Sequence, residues 1–304
     1  MIPGPTASGK SDAALCICDL FTDAFEIVSV DSVQVYRELD IGSGKINASQ
    51  RKSVPHHLID VVNPDEHFDF VTYCALADKA VDDIQKRKKI PLFTGGTLLY
   101  LDTYFFGYSP MPDSDPLVRD MLLKKMKDLG INALHHELAN TDPVSAAAIH
   151  PNDSQRILRA LEVHYITGKK MSDLRGQKKG RIGEETIFIS PKIDRETLYN
   201  RINERVNQMI SSGFIDEVQK LIDKGYDKSL NSMNSIGYSQ IYDYLKSKCD
   251  LNFAIEDIKK KTRKYAKKQI TWLKRYDFIK YFDMTDRKGL SSFVNECFLL
   301  TDNH

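Results

Sequence analysis

The sequence predicts an α/β protein in which helices flank a parallel sheet and one all-helical segment is inserted. Three observations support this fold class. A glycine-rich pattern at residues 4–11 runs into a helix-like segment, and short apolar runs alternate with helix-like stretches over the first hundred residues. After a breaker-rich linker at 111–116, the chain to about residue 175 is almost entirely helical in pattern. We therefore expect a core domain of residues 1–112 and 185–304, and a helical insertion of residues 113–184.

Composition excludes several classes of protein. The 304 residues include 43 Lys plus Arg, 42 Asp plus Glu and 41% hydrophobic residues, as in ordinary globular proteins rather than disordered or collagenous ones. No apolar run reaches the roughly 18 residues of a spanning helix, and a glycine-rich element that begins at Gly4 leaves no room for a secretory leader. Five cysteines without paired metal-site spacings favour a reducing compartment. We expect a cytoplasmic monomer without a membrane contact or an obligate protein partner.

The positive charge is concentrated near the carboxyl end. Residues 259–280 contain ten Lys or Arg and one acidic residue, Asp277, although the net charge of the chain is only +1. Tyr265, Trp272 and Tyr276 are interleaved with these charges, a pattern that fits nucleic-acid binding but also an amphipathic helix. We expect the aromatic residues mostly in the core and the charges on a nucleic-acid-binding face.

Two strands of the expected sheet end at polar residues. The strand 26–30 is followed by Asp31, and the strand 90–94 is followed by Gly95, Gly96 and Thr97. Because ligands of open α/β sheets gather at the carboxyl ends of strands, Asp31 and Thr97 are candidate site residues. Further helices are expected at 11–21, 70–86, 117–129, 131–139, 143–149, 153–167, 195–211, 214–224, 238–246 and 253–276, a strand at 186–190, and a mobile basic loop at 175–181.

Residues 4–11 fit the phosphate-binding P-loop pattern G-x-x-x-x-G-K-[ST]. In this pattern the glycines let backbone N–H groups face a phosphate, Lys10 neutralises charge, and the Ser11 hydroxyl can hold Mg²⁺. The pattern alone indicates only that a di- or triphosphate binds.

Asp31 has three possible roles at the end of its strand. It can ligate Mg²⁺, act as a general base toward an acceptor nucleophile, or simply cap a helix. Thr97, in a Gly-Gly-Thr segment that is more often a turn, can donate to the same crevice. Position in the sequence does not decide among these alternatives.

Two arginine pairs have helical spacing. Arg156 and Arg159 are three residues apart, and Arg201 and Arg205 are four apart. Converging arginines bind phosphate bidentately, whereas arginines on a solvated helix face are the commoner case. Both interpretations remain open for each pair.

Taken together, these segments closely resemble the tRNA dimethylallyltransferase family over nearly the whole chain. The resemblance rests on GPTASGKS at 4–11, DSVQVYR at 31–37, GSGK at 42–45, HHLID at 56–60, FTGGTLLYLD at 93–102, DSQRILRALE at 153–162, RINERVNQMISSGFIDEV at 201–218, IGY at 236–238 and TRKYAKKQITW at 262–272. It implies a P-loop NTPase-like core that transfers a dimethylallyl group from dimethylallyl diphosphate to the N6 amine of adenosine 37 in tRNA, releasing pyrophosphate, with Mg²⁺ as cofactor.

The resemblance also assigns roles to residues. Asp31 would be the general base, Thr97 would line the channel between the substrates, and Ser11 would help to hold Mg²⁺. The diphosphate would be bound by Gly4, Thr6, Ala7, Ser8, Gly9, Lys10, Ser11 and Arg205. The tRNA anticodon stem-loop, with the target base flipped out, would be contacted by Asp31, Ser32, Val33, Gln34, Arg119, Gln155, Arg156, Ile157, Leu158, Arg159, Gly237 and Tyr238.

Two departures from the family pattern affect these expectations. Only Met1, Ile2 and Pro3 precede Gly4, so the first strand of the sheet is expected to be lost, since Pro3 cannot donate a ladder hydrogen bond. Ser239 stands where a basic residue often follows IGY, which would weaken one tRNA contact. No zinc finger follows the core, so the resemblance is to the bacterial form.

Three other functions compete with this interpretation. An adenylate isopentenyltransferase would use the same donor with AMP, ADP or ATP as acceptor, but the Arg-bearing insertion and the basic segment favour tRNA. A small-molecule P-loop kinase would explain only the first 40 residues. A non-catalytic RNA-binding module would have no need of Lys10, Ser11, Asp31, Thr97 and Arg205 together.

Overall fold

The structure, a computed structural model, describes residues 1–174, 180–183, 185–283 and 287–299. The chain divides into two compact units, Met1–Leu101 with Gly183–His304, and Asp102–Ile182. The division lies at residues 102 and 182, compared with 113 and 184 in the sequence-based division. Most of the predicted basic loop, residues 175–179, lies outside the described residues.

The first unit is built on parallel strands. Four of them, β1 (Ile2–Pro3), β2 (Phe25–Val30), β3 (His56–His57) and β4 (Ile90–Gly95), form a sheet in the order β1-β4-β2-β3. Two more, β5 (Ile189–Pro191) and β6 (Lys280–Phe282), pair in parallel. All six residues of β2 are buried, including the polar Glu26 and Ser29 among its apolar side chains.

The predicted loss of the first strand is wrong. Ile2 and Pro3 pair in parallel with Thr94 and Gly95 of β4. Met1 extends this pairing on the other side, where its oxygen accepts a hydrogen bond from Ile189 N at 3.0 Å and its nitrogen donates to Ile187 O at 2.8 Å. Ile2 is fully buried, so two residues are enough because both neighbours supply the hydrogen bonds and the apolar contact.

Helices cover this sheet as predicted. α1 (Lys10–Leu20) packs Ala13, Ala14 and Ile17 against Ile2 and Ile27 in one buried cluster. The other helices of the first unit are α2 (Ala48–Ser53), α3 (Phe70–Lys86), α9 (Arg195–Ser211), α10 (Phe214–Asp223), α11 (Tyr238–Leu245), α12 (Leu251–Leu273) and α13 (Arg287–Leu299). The short helix α4 (Leu98–Phe105) carries the chain into the second unit.

The second unit is helical. It contains α5 (Pro116–Leu129), α6 (Ile131–Thr141), α7 (Pro143–Ala148), α8 (Ser154–Thr167) and a 3₁₀ turn at Met171–Leu174. Asp115, Asp142 and Asp153 cap α5, α7 and α8 through hydrogen bonds to backbone N–H groups, which fixes where these helices begin. In the described part of the chain, no helix is long and apolar enough to cross a bilayer.

The start of β2 and the edge strand β3 are joined by a buried ionic cluster. Glu26, 2% exposed, accepts hydrogen bonds from Arg87 Nε at 2.9 Å and Arg87 NH2 at 2.7 Å, and lies 2.7 Å from His57 Nε2. The Arg87 hydrogen bonds, and secondarily His57, lower the pKa of Glu26 from 4.5 to about 2, against the opposing effect of burial. This carboxylate therefore remains ionised well into the acid range.

We expect Glu26→Gln to flatten the acid limb of the stability curve. Because the folded-state pKa lies below the unfolded value, the contribution of Glu26 is present above pH 4.5 and is lost as pH falls toward 2. Wild type should lose on the order of 2 kcal/mol more than the variant over this window, at about 1.4 kcal/mol per unit. Urea unfolding between pH 5 and 2 measures the difference, and parallel curves for the two proteins would contradict the assignment.

Candidate active site

The glycine loop, residues 4–11, has the backbone geometry of an anion cradle. Ala7 and Gly9 both have positive φ angles, 62° and 88°, and Gly9 is the N-cap of α1 without a side-chain hydrogen bond to the helix. The first N–H groups of α1 are therefore available to an anion, at the end where the helix dipole favours negative charge. Ser8 is 1% exposed, and its hydroxyl has no partner among the described residues.

Lys10 points back over this loop. Its Nζ donates to Pro5 O at 3.1 Å, and it lines a small cavity together with Ser11. Burial, and then the positive charge of Arg205, lower the pKa of Lys10 from 10.5 to about 8. A bound anion would offset both effects through its attraction for the two cations, so the arrangement favours binding of negative charge.

Arg205 approaches the same cavity from α9. Burial lowers its pKa, opposed by the negative charges of Asp31 and Asp12. In the described ranges it makes no ion pair, and its single hydrogen bond runs from NH2 to Ser43 O at 3.4 Å. Space for the guanidinium comes from Gly44, where a Cβ would lie 1.7 Å from Arg205 NH2. Gly44 of the GSGK segment thus leaves room for the Arg205 guanidinium, which has no ion-pair partner among the described residues.

Asp31 follows β2 in a turn, and no helix begins there, so the helix-capping alternative is wrong. Its Oδ1 accepts hydrogen bonds from Val33 N at 2.8 Å and Gln34 N at 3.2 Å. Over the residues that the structure describes, no hydrogen bond is made to Oδ2. One oxygen therefore fixes the carboxylate and the other remains available for chemistry.

Thr97 lies beside Asp31, as the positions at two strand ends predict. Its Oγ1 accepts from Ser32 N at 2.9 Å and donates to Ser32 Oγ at 3.3 Å, while Thr97 N donates to Val30 O at 3.0 Å. These bonds join the ends of β2 and β4. Thr97 therefore holds the turn that carries Asp31.

Two adjoining cavities meet at this turn. The small cavity, about 100 Å³, has a mostly polar lining that includes the loop residues Thr6, Lys10 and Ser11. The large cavity, about 330 Å³, has a more apolar lining. Both are lined by Thr6, Asp31, Ser43, Arg205 and Tyr265, and the apolar side of the large cavity is formed by Val33, Ile202, Val206, Met209, Ile236 and Ile258.

Sequence reasoning did not assign several lining residues. His56 and Thr94 line the small cavity, and their buried Nε2 and Oγ1 atoms have no partner among the described residues. Tyr265 was expected mostly in the core, but it is 36% exposed and lines both cavities. Gln269 lines the small cavity from α12. Their only sequence signal is membership in the HHLID, FTGGTLLYLD and TRKYAKKQITW segments.

The residues of the first unit that were predicted to contact tRNA are divided between cavity and core. Ser32, Val33 and Gly237 line the large cavity, and Gln34 lines the small one. The prediction that Tyr238 contacts tRNA is corrected. Its side chain is fully buried, packs edge-on against Phe214 and donates to Glu217 Oε1 at 2.6 Å. It is a core residue and cannot present its side chain to a ligand.

On α8 the predicted residues occupy two faces. Gln155 and Arg156 are exposed, whereas Ile157 and Leu158 lie in the core of the helical unit with 0% and 3% exposure. The prediction that Ile157 and Leu158 bind tRNA is therefore corrected, since both side chains are buried in the hydrophobic core of the helical unit.

Two further predicted arginines share one buried carboxylate. Arg159 NH1 lies 2.8 Å and Arg119 NH1 lies 3.9 Å from Glu162 Oε2, and Glu162 is 1% exposed. One carboxylate orients both guanidinium groups but neutralises only one of them. The pair therefore keeps a net positive charge at the surface of the helical unit.

A magnesium ion is compatible with this donor set. Within the described ranges, no three His, Cys, Asp or Glu side chains form a metal cluster. Mg²⁺ rarely needs one, because it retains waters and uses substrate phosphate oxygens. The Ser11 hydroxyl at the small cavity is a suitable hard oxygen ligand.

Comparison with known proteins identifies the family. A family model described as IPP transferase matches residues 34–276, and one described as isopentenyl transferase matches residues 1–60. Proteins named tRNA dimethylallyltransferase are 42% identical over 294 residues in a Thermoanaerobacter species (95% of this chain, 92% of the relative) and 41% identical over 286 residues in Geobacter sulfurreducens (93% and 91%).

Solved structures support the same assignment. A tRNA isopentenylpyrophosphate transferase from Bacillus halodurans has a TM-score of 0.72 and 35% identity, covering 99% of this chain and 97% of that chain. A eukaryotic dimethylallyltransferase acting on tRNA has a TM-score of 0.77 and 28% identity, covering 93% and 72%. These neighbours have a P-loop NTPase-like fold, so the predicted fold class is confirmed. The chain is thus an enzyme that belongs to the IPP transferase family.

Proposed function

We propose that this enzyme transfers a dimethylallyl group from dimethylallyl diphosphate to the N6 amine of adenosine 37 in tRNA, releasing pyrophosphate. The observation that carries the proposal is the position of Asp31 on the wall shared by the two cavities. The small polar cavity suits a diphosphate, and the large cavity suits a five-carbon chain and a flipped adenine. A base is needed where the two substrates would meet, and Asp31 would serve there because it lines both cavities.

The proposed step forms one C–N bond and breaks one C–O bond. The adenine N6 attacks C1 of the dimethylallyl group, and the C1–O bond electrons leave with the diphosphate. The N6 proton passes to the Asp31 carboxylate. Because the N6 lone pair is delocalised into the ring, orientation of the amine and removal of its proton both contribute to the rate.

The leaving group would be stabilised by groups that already carry positive charge. Lys10, Arg205 and the N–H groups of the glycine loop would hold the diphosphate, so charge that develops on it meets oriented donors. Ser11 would hold Mg²⁺, which supplies further charge neutralisation at the diphosphate when bound. Thr97 would keep the Asp31 turn in place through its bonds to Ser32.

The tRNA would be recognised through exposed basic groups and a flipped base. An adenine in an anticodon loop must leave its stack before it can enter a cavity inside the protein. In the helical unit, Gln155, Arg156 and the Arg119–Arg159 pair would contact the anticodon arm. In the first unit, Lys264, Lys267 and Lys268 are exposed on α12 and would contact the phosphate backbone.

Transfer from radiolabelled dimethylallyl diphosphate, offered unmodified tRNA and AMP in parallel with Mg²⁺, tests the function. We expect label in tRNA, at the N6 position of adenosine 37 after nuclease digestion. Label in AMP alone would identify an adenylate isopentenyltransferase instead. Label in neither acceptor, with the donor shown to bind, would contradict the proposed reaction.

We expect Arg156→Ala to weaken tRNA binding about 3- to 10-fold and to reduce its salt dependence by roughly one phosphate contact. Arg156 is 70% exposed and lies 3.5 Å from Asp153, so its loss leaves the fold intact. Filter binding from 50 to 300 mM KCl measures both quantities.

Lys86→Ala is the matched control, because Lys86 is 76% exposed, pairs with Asp83 three residues earlier as Arg156 pairs with Asp153, and lines neither cavity. Equal effects of the two substitutions would show that only net charge matters. A loss of donor affinity in Arg156→Ala would move this arginine to the donor site.

A further inference from the structure

We infer that Gln269 is a positioning residue that fixes the glycine loop, residues 4–11, relative to the segment Gly96–Thr97. That segment in turn holds the turn that carries Asp31. The side-chain amide of Gln269 is 3% exposed and bridges two separate segments. Its Oε1 accepts from Thr6 N at 2.9 Å, and its Nε2 donates to Gly96 O at 2.6 Å. The inference rests on the proposed function, since it concerns alignment of the donor with the base.

The bridge extends to the reacting groups on both sides. Thr6 belongs to the glycine loop and lines both cavities. Gly96 precedes Thr97, whose Oγ1 accepts from Ser32 N, next to Asp31. Hydrogen bonds and two peptide links, Gly96–Thr97 and Asp31–Ser32, therefore connect the loop that would bind the leaving group with the turn that carries the base.

The space around the Gln269 bridge is too small for a side chain at Gly96. A Cβ at Gly96 would lie 2.4 Å from Gln269 Nε2 and 3.4 Å from Gly4 O. Tyr265, one turn earlier on α12, donates from its hydroxyl to the same Gly96 oxygen at 3.3 Å. Burial raises the pKa of Tyr265 to about 12, so this hydroxyl keeps its proton at neutral pH. The Gly96 carbonyl is therefore held by two hydrogen-bond donors, Tyr265 and Gln269, from α12.

A primary amide satisfies both ends of the bridge without charge. It offers an acceptor to the Thr6 N–H and a donor to the Gly96 carbonyl, whereas an ionised carboxylate would place a second acceptor against that carbonyl. A protonated carboxyl group again offers one donor and one acceptor. Gln269→Glu should therefore be defective when ionised and regain function when protonated.

The test compares single-turnover transfer in wild type, Gln269→Glu and Gln269→Met from pH 5.5 to 8.5. Both variants should lose about 10- to 100-fold in rate at pH 8, as expected for misaligned reactants, with less than about 3-fold change in donor Kd. The rate of Gln269→Glu relative to wild type should rise as pH falls, whereas the relative rate of Gln269→Met should stay flat. The other ionisable groups that line the small cavity are common to all three proteins and are Lys10, Asp31, His56, Arg205 and Tyr265.

A second readout does not depend on transfer. Hydrogen–deuterium exchange should increase together in peptides that cover residues 4–11 and 95–98 of Gln269→Met. Leu122→Ala is the control, because Leu122 is fully buried in a hydrophobic cluster of the helical unit that contains no residue of either segment. It should lower Tm without coupled exchange at the two segments and without a pH-dependent relative rate.

The outcomes separate the inference from the proposed function. If wild type transfers and the relative rate of Gln269→Glu is flat with pH, the positioning role is wrong. If exchange does not increase jointly in Gln269→Met, the bridge does not couple the segments, whatever reaction the enzyme catalyses. Failure of wild type to transfer to any acceptor would overturn the proposed function while leaving the exchange result to decide the bridge.

Discussion

Asp31→Asn should lower turnover by about 10²- to 10⁴-fold, the range found when a general base is removed. Asparagine keeps an oxygen that can accept from Val33 N and Gln34 N, the two bonds that fix the Asp31 turn. It replaces Oδ2, the proposed proton acceptor, with a group that cannot take a proton at neutral pH. The substitution therefore removes the chemistry with little change in geometry.

Donor affinity should change less than about 3-fold in the same variant, because the diphosphate would be bound by the glycine loop, Lys10 and Arg205. Titration calorimetry with dimethylallyl diphosphate and Mg²⁺ measures this affinity, and rapid-quench transfer to tRNA measures the rate. Asp12→Asn is the matched control, since Asp12 is exposed on α1, also carries a negative charge near Lys10, and lines neither cavity. It should leave the rate within about 2-fold of wild type.

A parallel loss of rate and donor affinity in Asp31→Asn would contradict the general-base role. That result would make Asp31 chiefly a metal ligand, and the Mg²⁺ concentration needed for half-maximal rate would then rise as well. Asp31→Ala separates the two roles of the carboxylate further, because it also removes the hydrogen bonds to the turn.

The sequence was sufficient for features that depend on local pattern. The glycine loop, the strand that ends before Asp31 and the strand that ends before Thr97 each have a short-range signal, and the parallel sheet brings their ends together. The helices predicted at 117–129 and 153–167 likewise match α5 and α8 to within one residue at the start, although their caps, Asp115 and Asp153, were not predicted. These predictions needed no knowledge of distant contacts.

The errors have a different physical origin. Tyr238, Ile157 and Leu158 stand within family-like segments, but each side chain points into a core. Membership in such a segment indicates a role without saying which face of the helix is buried. The apolar pattern of α8, with Leu161 and Val163 also buried, already favours the core for its aliphatic residues.

Residues that reach the site from far along the chain could not be predicted. Gln269 bonds to Thr6 across 263 positions, and its role depends on how α12 packs beside the glycine loop. The first strand is a comparable case, since Met1, Ile2 and Pro3 form a strand because β4 and residues 187–189 supply partners on both sides. Both features are set by tertiary contacts rather than by local sequence.

Arg205→Gln should stabilise the free enzyme while it impairs donor binding. Burial disfavours the charged form of Arg205, and Lys10 is a nearby like charge. The negative charges of Asp31 and Asp12 offset this only in part, since the pKa of Arg205 stays lowered and no ion pair forms within the described residues. Removing a desolvated charge that lacks a close partner relieves this cost. We expect Tm of the free protein to rise by about 2 °C, as a gain of about 1 kcal/mol would give.

Donor binding in this variant should weaken about 10- to 100-fold, because hydrogen bonds between charged groups contribute about 1.5–3 kcal/mol each. Differential scanning fluorimetry with and without inorganic pyrophosphate and Mg²⁺ reads both effects, and the ligand-induced rise in Tm should shrink markedly in Arg205→Gln. Arg201→Gln is the control, since Arg201 is exposed one turn earlier on α9 and lines neither cavity.

A higher Tm of the free protein together with weaker pyrophosphate binding is the result expected for an arginine whose role is to bind an anionic ligand. An arginine that served only to hold the structure would lower Tm when replaced, and its loss would leave the pyrophosphate response intact. A buried charge that destabilises the free protein and is stabilised by a bound ligand is characteristic of functional sites, which retain preformed charges at a cost in stability. A lower Tm with an unchanged pyrophosphate response in Arg205→Gln would remove Arg205 from the diphosphate site and leave its proposed role to Lys10, the loop N–H groups and Mg²⁺.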